Sequence, residues 1–197
     1  EIGELLGEMG HNIGVKEYPE ITDLEGHIHL IDAGPALLGP MSKKAQQEAT
    51  EVLTKLGVKI KLNTAVKDYV DDKVLLADGE VIETNVLIWA SGVTGRTIPG
   101  LPADAVGRGR RLLVDEFNKV QGTTNVYALG DICLQTTDSK FPNGHPQLAQ
   151  VAIQQGQNLA KNLRRMIRGD ALTPFHYNDK GSMAIIAKYK AVADLPK

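Results

Sequence analysis

Thr123-Thr124-Asn125-Val126-Tyr127-Ala128-Leu129-Gly130-Asp131 sets the fold expected of this chain. Val126 to Leu129 suit a short buried strand. The strand ends on Gly130, which has no Cβ and lets a ligand come close. Asp131 then projects a carboxylate from the carboxyl end of the strand, the edge of an open α/β sheet where ligands sit. A carboxylate there accepts hydrogen bonds from sugar or ribityl hydroxyls. The same residues also fit a strand followed by an Asp N-cap, and spacing alone does not separate the two.

On the carboxyl side, Gln135 to Gly144 reads as a polar loop and Pro146 to Arg168 as a long helix. Its apolar positions include Leu148, Val151, Ala152, Leu159, Leu163, Met166 and Ile167. Arg164, Arg165 and Arg168 complement the helix dipole, and Gly169 ends the helix. Met183 to Ala187 and Ala191 to Ala193 are strand-like.

On the amino side, Arg111 to Val114 is a short strand, and residues 99–109 look like a linker. Asn85 to Ala90 reads as a buried strand, followed by the glycine-rich loop Ser91-Gly92-Val93-Thr94-Gly95. Such a loop can pass close to a cofactor or serve only as a strand exit. Val66–Val70, Lys73–Ala77 and Glu80–Ile82 form an antiparallel meander, with Asp78-Gly79 supplying the positive φ angles of a hairpin turn.

Further upstream, His27 to Asp32 is a strand ending on an acid. Ser42 to Leu56 is a helix with Ser42 as N-cap and Gly57 as its stop, and Val58 to Leu62 is an alternating strand. Strand, helix, strand implies a parallel pair with a right-handed crossover. His27 and His29 share one strand face with no third ligand nearby, so surface histidines are expected rather than a metal site. Residues 1–9 pattern as a helix ending near Gly10, with residues 11–26 as a loop. That helix has no preceding cap and no initiator Met, so the sequence is expected to begin mid-element, as a piece of a longer protein.

The bulk numbers fit one large or two small soluble domains. There are 197 residues, 42% hydrophobic and 23% charged, with a net charge of -2. That charge implies no nucleic-acid partner. No run approaches the roughly 18 apolar residues of a membrane span. A single cysteine, Cys133, excludes a disulfide or a Cys-x-x-Cys pair within this sequence. A free cysteine in such a place is usually a small buried residue.

Several pieces then line up in order. They are the helix containing Glu1, Leu30-Ile31-Asp32-Ala33-Gly34, Trp89-Ala90-Ser91-Gly92-Val93, Val126 to Asp131, Ala149-Gln150-Val151-Ala152 and Lys180-Gly181-Ser182-Met183-Ala184. This resembles the flavoprotein oxidoreductases with two dinucleotide-binding domains, and among them the type II NADH dehydrogenases, the single-subunit NADH:quinone oxidoreductases. The resemblance implies an α/β fold. It would comprise parts of two Rossmann-like domains, an NAD-binding part over 1–98 and an FAD-binding part over 99–170, with the meander inserted. Residues 171–197 would start a C-terminal α+β region.

The resemblance also implies site residues. Asp131 with Gly130 would hold the FAD ribityl chain, and Ala149, Gln150 and Val151 would face the flavin at a helix N-terminus. Gln150 would line the quinone pocket, Lys180 would lie near the flavin, and Glu1 matches the acid that opens the helix after the NAD glycine motif. Asp32 would bind the adenosine ribose diol and favour NADH over NADPH. Ser91 and Gly92 would run beside the nicotinamide. FAD and NADH are the implied cofactors and a quinone the implied partner. The parent is expected peripherally at the cytoplasmic face of a membrane. This stretch itself is expected to be soluble and, with apolar faces left uncovered, to associate as a homo-oligomer. The FAD and NAD glycine motifs are not in this sequence. The alternatives are a sulfide:quinone or disulfide reductase of the same superfamily, and a cofactor-free structural or interaction module.

Overall fold

The computed structural model describes residues 2–17 and 27–195. The chain divides into two compact units, Glu1–Trp89 with Lys180–Lys197 and Ala90–Asp179.

In the first unit, α1 (Ile2–Glu8) continues into a π-helical stretch, Met9–Gly14, and a final turn, α2 (Val15–Glu17). The expected stop at Gly10 is therefore corrected, because the wider π turns keep this glycine inside the helix. The rest of the expected loop, 18–26, lies outside the described residues. The buried face is also not the expected apolar stripe: Ile2, Leu5 and Met9 are exposed, and Glu4 and Gly7 are buried. A Cβ on Gly3 would stand 3.2 Å from Leu30 Cδ1, and one on Gly7 3.2 Å from Leu56 Cβ. The helix lies too close to its neighbours for larger inward side chains.

β1 (His29–Ile31) and β2 (Lys59–Lys61) pair in parallel across α3 (Lys43–Lys55), with Leu30 opposite Ile60. Leu37, Leu53 and Val58 form the core beneath them. Helix α3 starts as its sequence predicts, Ser42 Oγ accepting the Ala45 N–H at 3.3 Å.

β3 (Val66–Val70), β4 (Lys73–Leu76) and β5 (Val81–Glu83) form the expected antiparallel meander. Its turns differ from expectation. At the β4–β5 turn only Gly79 has a positive φ, 93°, while the Asp78 carboxylate accepts the Glu80 N–H at 3.0 Å. The paired left-handed turn belongs to Asp71-Asp72, with φ 48° and 57°, between β3 and β4.

The second unit corrects several expectations. Asn85–Ala90, which runs into it, is not a strand, and Trp89 is 64% exposed. A fully buried parallel strand needs ladders on its sides, and no described residue pairs with this segment. The 99–109 stretch is not a linker. It holds two 3-10 turns, Ala103–Ala105 and Arg108–Arg110, and Ala105 is fully buried.

β6 (Leu112–Val114) pairs in parallel with β7 (Cys133–Gln135), Leu113 opposite Leu134. The expected strand Val126–Leu129 is instead an extended stretch with one antiparallel bridge, Tyr127 to Lys119. It folds back on its own approach: the Val120 N–H donates to the Val126 carbonyl at 2.8 Å and the Ala128 N–H to the Asn118 carbonyl at 3.0 Å. The ladder forms after Asp131, at Cys133–Gln135, where no strand was expected.

α4 (Ala149–Arg168) ends at Gly169, with the Asp170 N–H on the Arg165 carbonyl at 2.9 Å. Its buried residues are Val151, Gln155, Leu159 and Asn162. Leu163 and Ile167, expected in the apolar stripe, are exposed, Ile167 by 87%.

The chain then returns to the first unit. β8 (Ser182–Ala187) and β9 (Lys190–Asp194) form an antiparallel hairpin. Ala184, Ile186 and Val192 cover Met41, Ala45 and Ala49 beside and on α3. Asp194 clasps the helix start, accepting the Ser42 N–H at 2.5 Å and its hydroxyl at 2.7 Å.

Candidate functional site

Two exposed carboxylates stand at chain positions suited to ligand hydroxyls, one in each unit. In the first, Asp32 follows β1 at its carboxyl end. Its N–H donates to the Lys61 carbonyl at 2.9 Å and its Oδ1 accepts the Gly34 N–H at 2.7 Å. The carboxylate is thus fixed in a turn, with its remaining lone pairs open to solvent. Glu1 lies outside the described residues. Lys180 is exposed at the start of the segment returning to this unit.

In the second unit, Leu129 is extended and Gly130-Asp131-Ile132 closes a 3-10 turn, with the Cys133 N–H on the Gly130 carbonyl. Gly130 has φ 66°, and a Cβ on it would stand 3.2 Å from Ala152 Cβ on α4. Both facts call for glycine. The Asp131 side chain is exposed and has no hydrogen bond or ion pair among the described residues. Its carbonyl accepts Gln147 Nε2–H at 3.2 Å.

Of the expected helix-start residues, Ala149 is exposed, Gln150 half-buried and Val151 buried against Phe175 and Tyr177. The N-cap position is Leu148, which supplies no side-chain acceptor to the first turn of α4. Ser91 and Gly92 are exposed in the second unit, Gly92 with φ 94° and open space where a Cβ would stand.

Beneath the Asp131 turn lies a buried polar network that sequence reasoning missed. Cys133 is 1% exposed, and its Sγ accepts from Asn118 Nδ2 and Gln155 Nε2, each at 3.5 Å. Burial pushes its thiol pKa up against these donors and Arg111. Arg111 is buried with no carboxylate in ion-pair range among the described residues. Its Nη2 donates to the carbonyls of Cys133 and, at 3.2 Å, His145. Burial lowers its pKa, while Cys133 and Asp131 pull the other way.

Further along, His145 Nε2 meets Asp138 Oδ2 at 3.0 Å, both buried. Phe141, Phe175 and Tyr177 ring the imidazole at 5.2 to 5.8 Å. Burial works to raise the Asp138 pKa, but His145 and the N–H groups of Lys140 and Tyr177 hold it below the ordinary value. Tyr177 is pushed up to about 12, by burial first and then by Asp179. The missed signal was a pair of polar residues inside an apolar helix stripe: Val151, Gln155, Leu159 and Asn162 recur at helical spacing.

No described helix is long and apolar enough to cross a membrane. Among the described residues no group of histidine, cysteine and carboxylate side chains could hold a metal ion.

Comparison with known proteins adds the following. Residues 10–156 match the pyridine nucleotide-disulphide oxidoreductase family. All of the chain aligns with the type II NADH:quinone oxidoreductase NdhA of Mycobacterium tuberculosis, 31% identical, and spans 43% of that protein. The type II NADH:quinone oxidoreductase of Staphylococcus aureus is 28% identical over 96% of the chain, which spans 48% of it. The chain therefore covers about half or less of these curated relatives. The structure of NDH2 from Plasmodium falciparum in complex with NADH superposes on the whole chain with a TM-score of 0.85 at 19% identity, over 55% of that chain. The fold is thus that of the FAD/NAD Rossmann-type oxidoreductases, as the ordered motifs predict.

Proposed function

This chain belongs to the pyridine nucleotide-disulphide oxidoreductase family, and on that premise we propose that it supplies the nucleotide- and flavin-facing parts of an FAD-dependent NADH:quinone oxidoreductase. The observation that carries the proposal is the alignment of the whole chain with type II NADH:quinone oxidoreductases.

The residues present fit the two cofactors. Asp32 offers an exposed, turn-fixed carboxylate for a ribose diol, and a carboxylate there repels the 2′-phosphate of NADPH. Asp131 offers an open carboxylate on a glycine turn for the FAD ribityl hydroxyls. The α4 amino end carries positive dipole and no side-chain cap, so it favours negative charge on a ligand placed there. FAD, when bound, supplies the hydride and electron transfer chemistry. The protein's own part is positioning. Asp32 would hold the adenosine ribose of NADH, and Ser91 with Gly92 would run beside the nicotinamide. Asp131 with Gly130 would hold the flavin chain, Ala149, Gln150 and Val151 would face the flavin, Gln150 would line the quinone pocket, and Lys180 would lie near the flavin. Glu1, outside the described residues, would be the acid that opens the helix after the NAD glycine motif. No side chain need serve as a nucleophile.

The whole protein would sit at the cytoplasmic face of a membrane, where a lipid-soluble quinone is reached. Exposed apolar side chains support association with a second copy: Ile153 and Ile167 on α4, Met183 and Tyr189 on the β8–β9 hairpin. A single monodisperse monomer in light scattering would remove that part of the proposal.

The deciding experiment uses the protein expressed from its complete gene. Anaerobic NADH should bleach a bound flavin, and a short-chain quinone should restore its colour. Bleaching by sulfide but not by NADH, or a colourless protein that ignores FAD, would overturn the proposal. Asp32→Ala should weaken NADH and bring NADPH within about tenfold of it.

A further inference from the structure

We infer that Gln155, buried in α4 and outside every motif named above, is a positioning residue for the Asp131 carboxylate. The inference rests on the proposal that Asp131 contacts the FAD ribityl chain.

Gln155 is 1% exposed, and both ends of its amide are engaged at the Asp131 turn. Its Oε1 accepts the Gly130 N–H at 2.7 Å, just before Asp131. Its Nε2 donates to Cys133 Sγ at 3.5 Å, just after the turn closes. One planar group therefore spans both sides of Gly130-Asp131-Ile132. Gln147 holds the middle from outside through the Asp131 carbonyl. Ala152, one helical turn before Gln155, sets the wall that the glycine passes. The turn around Asp131 is thus held from the helix side and from outside, while its carboxylate has no hydrogen bond among the described residues.

The half-buried Gly130 N–H is costly to leave without an acceptor. Without Gln155 the Gly130 peptide would rotate to find one, and a turn at φ 66° has room to do so because glycine permits it. The carboxylate would then sample several orientations, and a ligand would have to restrict it on binding. Gln155 removes that penalty in advance.

The test is a double-mutant cycle on FAD affinity, read by flavin fluorescence on apoprotein made from the complete gene. Asp131→Ala should weaken FAD roughly tenfold or more. Gln155→Leu should weaken it by roughly three- to tenfold and speed hydrogen exchange of the Gly130 amide. In the Asp131→Ala background the Gln155→Leu penalty should vanish. Gln155→Glu, which still accepts from Gly130, should recover most of the affinity, and it carries the test if the leucine variant does not fold. An equal Gln155→Leu penalty in both backgrounds would overturn the positioning role while leaving the flavin contact intact. Unchanged FAD affinity in Asp131→Ala would overturn the flavin contact and the positioning role with it.

Discussion

Alanine at Gly95 should destabilise the second unit by about 3 kcal/mol, and alanine at Gly92 by only about 1–2 kcal/mol. The two glycines share one loop but exist for different reasons. Gly95 is buried, and a Cβ there would stand 2.2 Å from the Arg110 carbonyl oxygen and 2.8 Å from Ile132 Cδ1. Ordinary contact needs roughly 1 Å more. The backbone must retreat, and it would break the Gly95 N–H bond to the Gly109 carbonyl, now 2.7 Å. Overpacking of this kind costs about 1–3 kcal/mol, and the lost hydrogen bond about 1 more. Gly92 has open space and pays only for φ 94°. Urea unfolding followed by far-UV circular dichroism would read the difference. With a slope near 2 kcal/mol/M, the midpoint should fall by about 1.5 M for Gly95→Ala and about 0.5–1 M for Gly92→Ala. Gly95→Ala within about 0.5 kcal/mol of the parent, or equal losses for both, would refute the argument.

Three more outcomes are expected. The folded Asp138 carboxyl lies below its ordinary pKa. Its contribution to stability is thus complete above the unfolded carboxylate range near about pH 4, and is lost as pH falls through the folded value. Asp138→Asn should flatten the acid limb of the stability–pH curve, and parallel curves would exclude the pair as its source. Asn162 is fully buried and bonds both the N–H and the carbonyl of Thr173 at 2.9 Å. Asn162→Leu should therefore cost about 2–4 kcal/mol by thermal unfolding, and a neutral result would mean that Thr173 finds other partners. The Cys133 thiol should resist alkylation at neutral pH until the protein is denatured, so prompt labelling of the native protein would contradict its burial.

Local rules fixed much of this molecule, and where they failed the reasons are specific. Ser42, Gly57 and Gly169 marked helix ends correctly because caps and left-handed stops act within a few residues. The β1–α3–β2 unit followed from alternation and length. Val126–Leu129 and Asn85–Ala90 were misplaced because a strand exists only with a partner, and pairing is a tertiary fact that a single run of apolar residues does not contain. The α1 face was inverted because close packing selected Gly3 and Gly7 over the larger Ile2 and Leu5. At the candidate site, the exposed Asp32 and Asp131 stood out by position. Gln155, Asn118 and Arg111 did not, since each is polar in a setting where sequence patterns expect apolar side chains.

The clasp between Asp194 and Ser42 has a consequence in time. Its partners are 152 residues apart in the chain, and the whole second unit is encoded between them. At roughly 5–20 residues per second, a ribosome takes on the order of 8–30 s to travel from one to the other. Through that interval α3 can form its turns and the second unit can finish folding. Met41, Ala45 and Ala49 must wait uncovered until the β8–β9 hairpin is made. A nascent chain of this protein therefore carries a sticky surface through that interval, and chaperone capture in that window should be relieved only when Asp194 emerges.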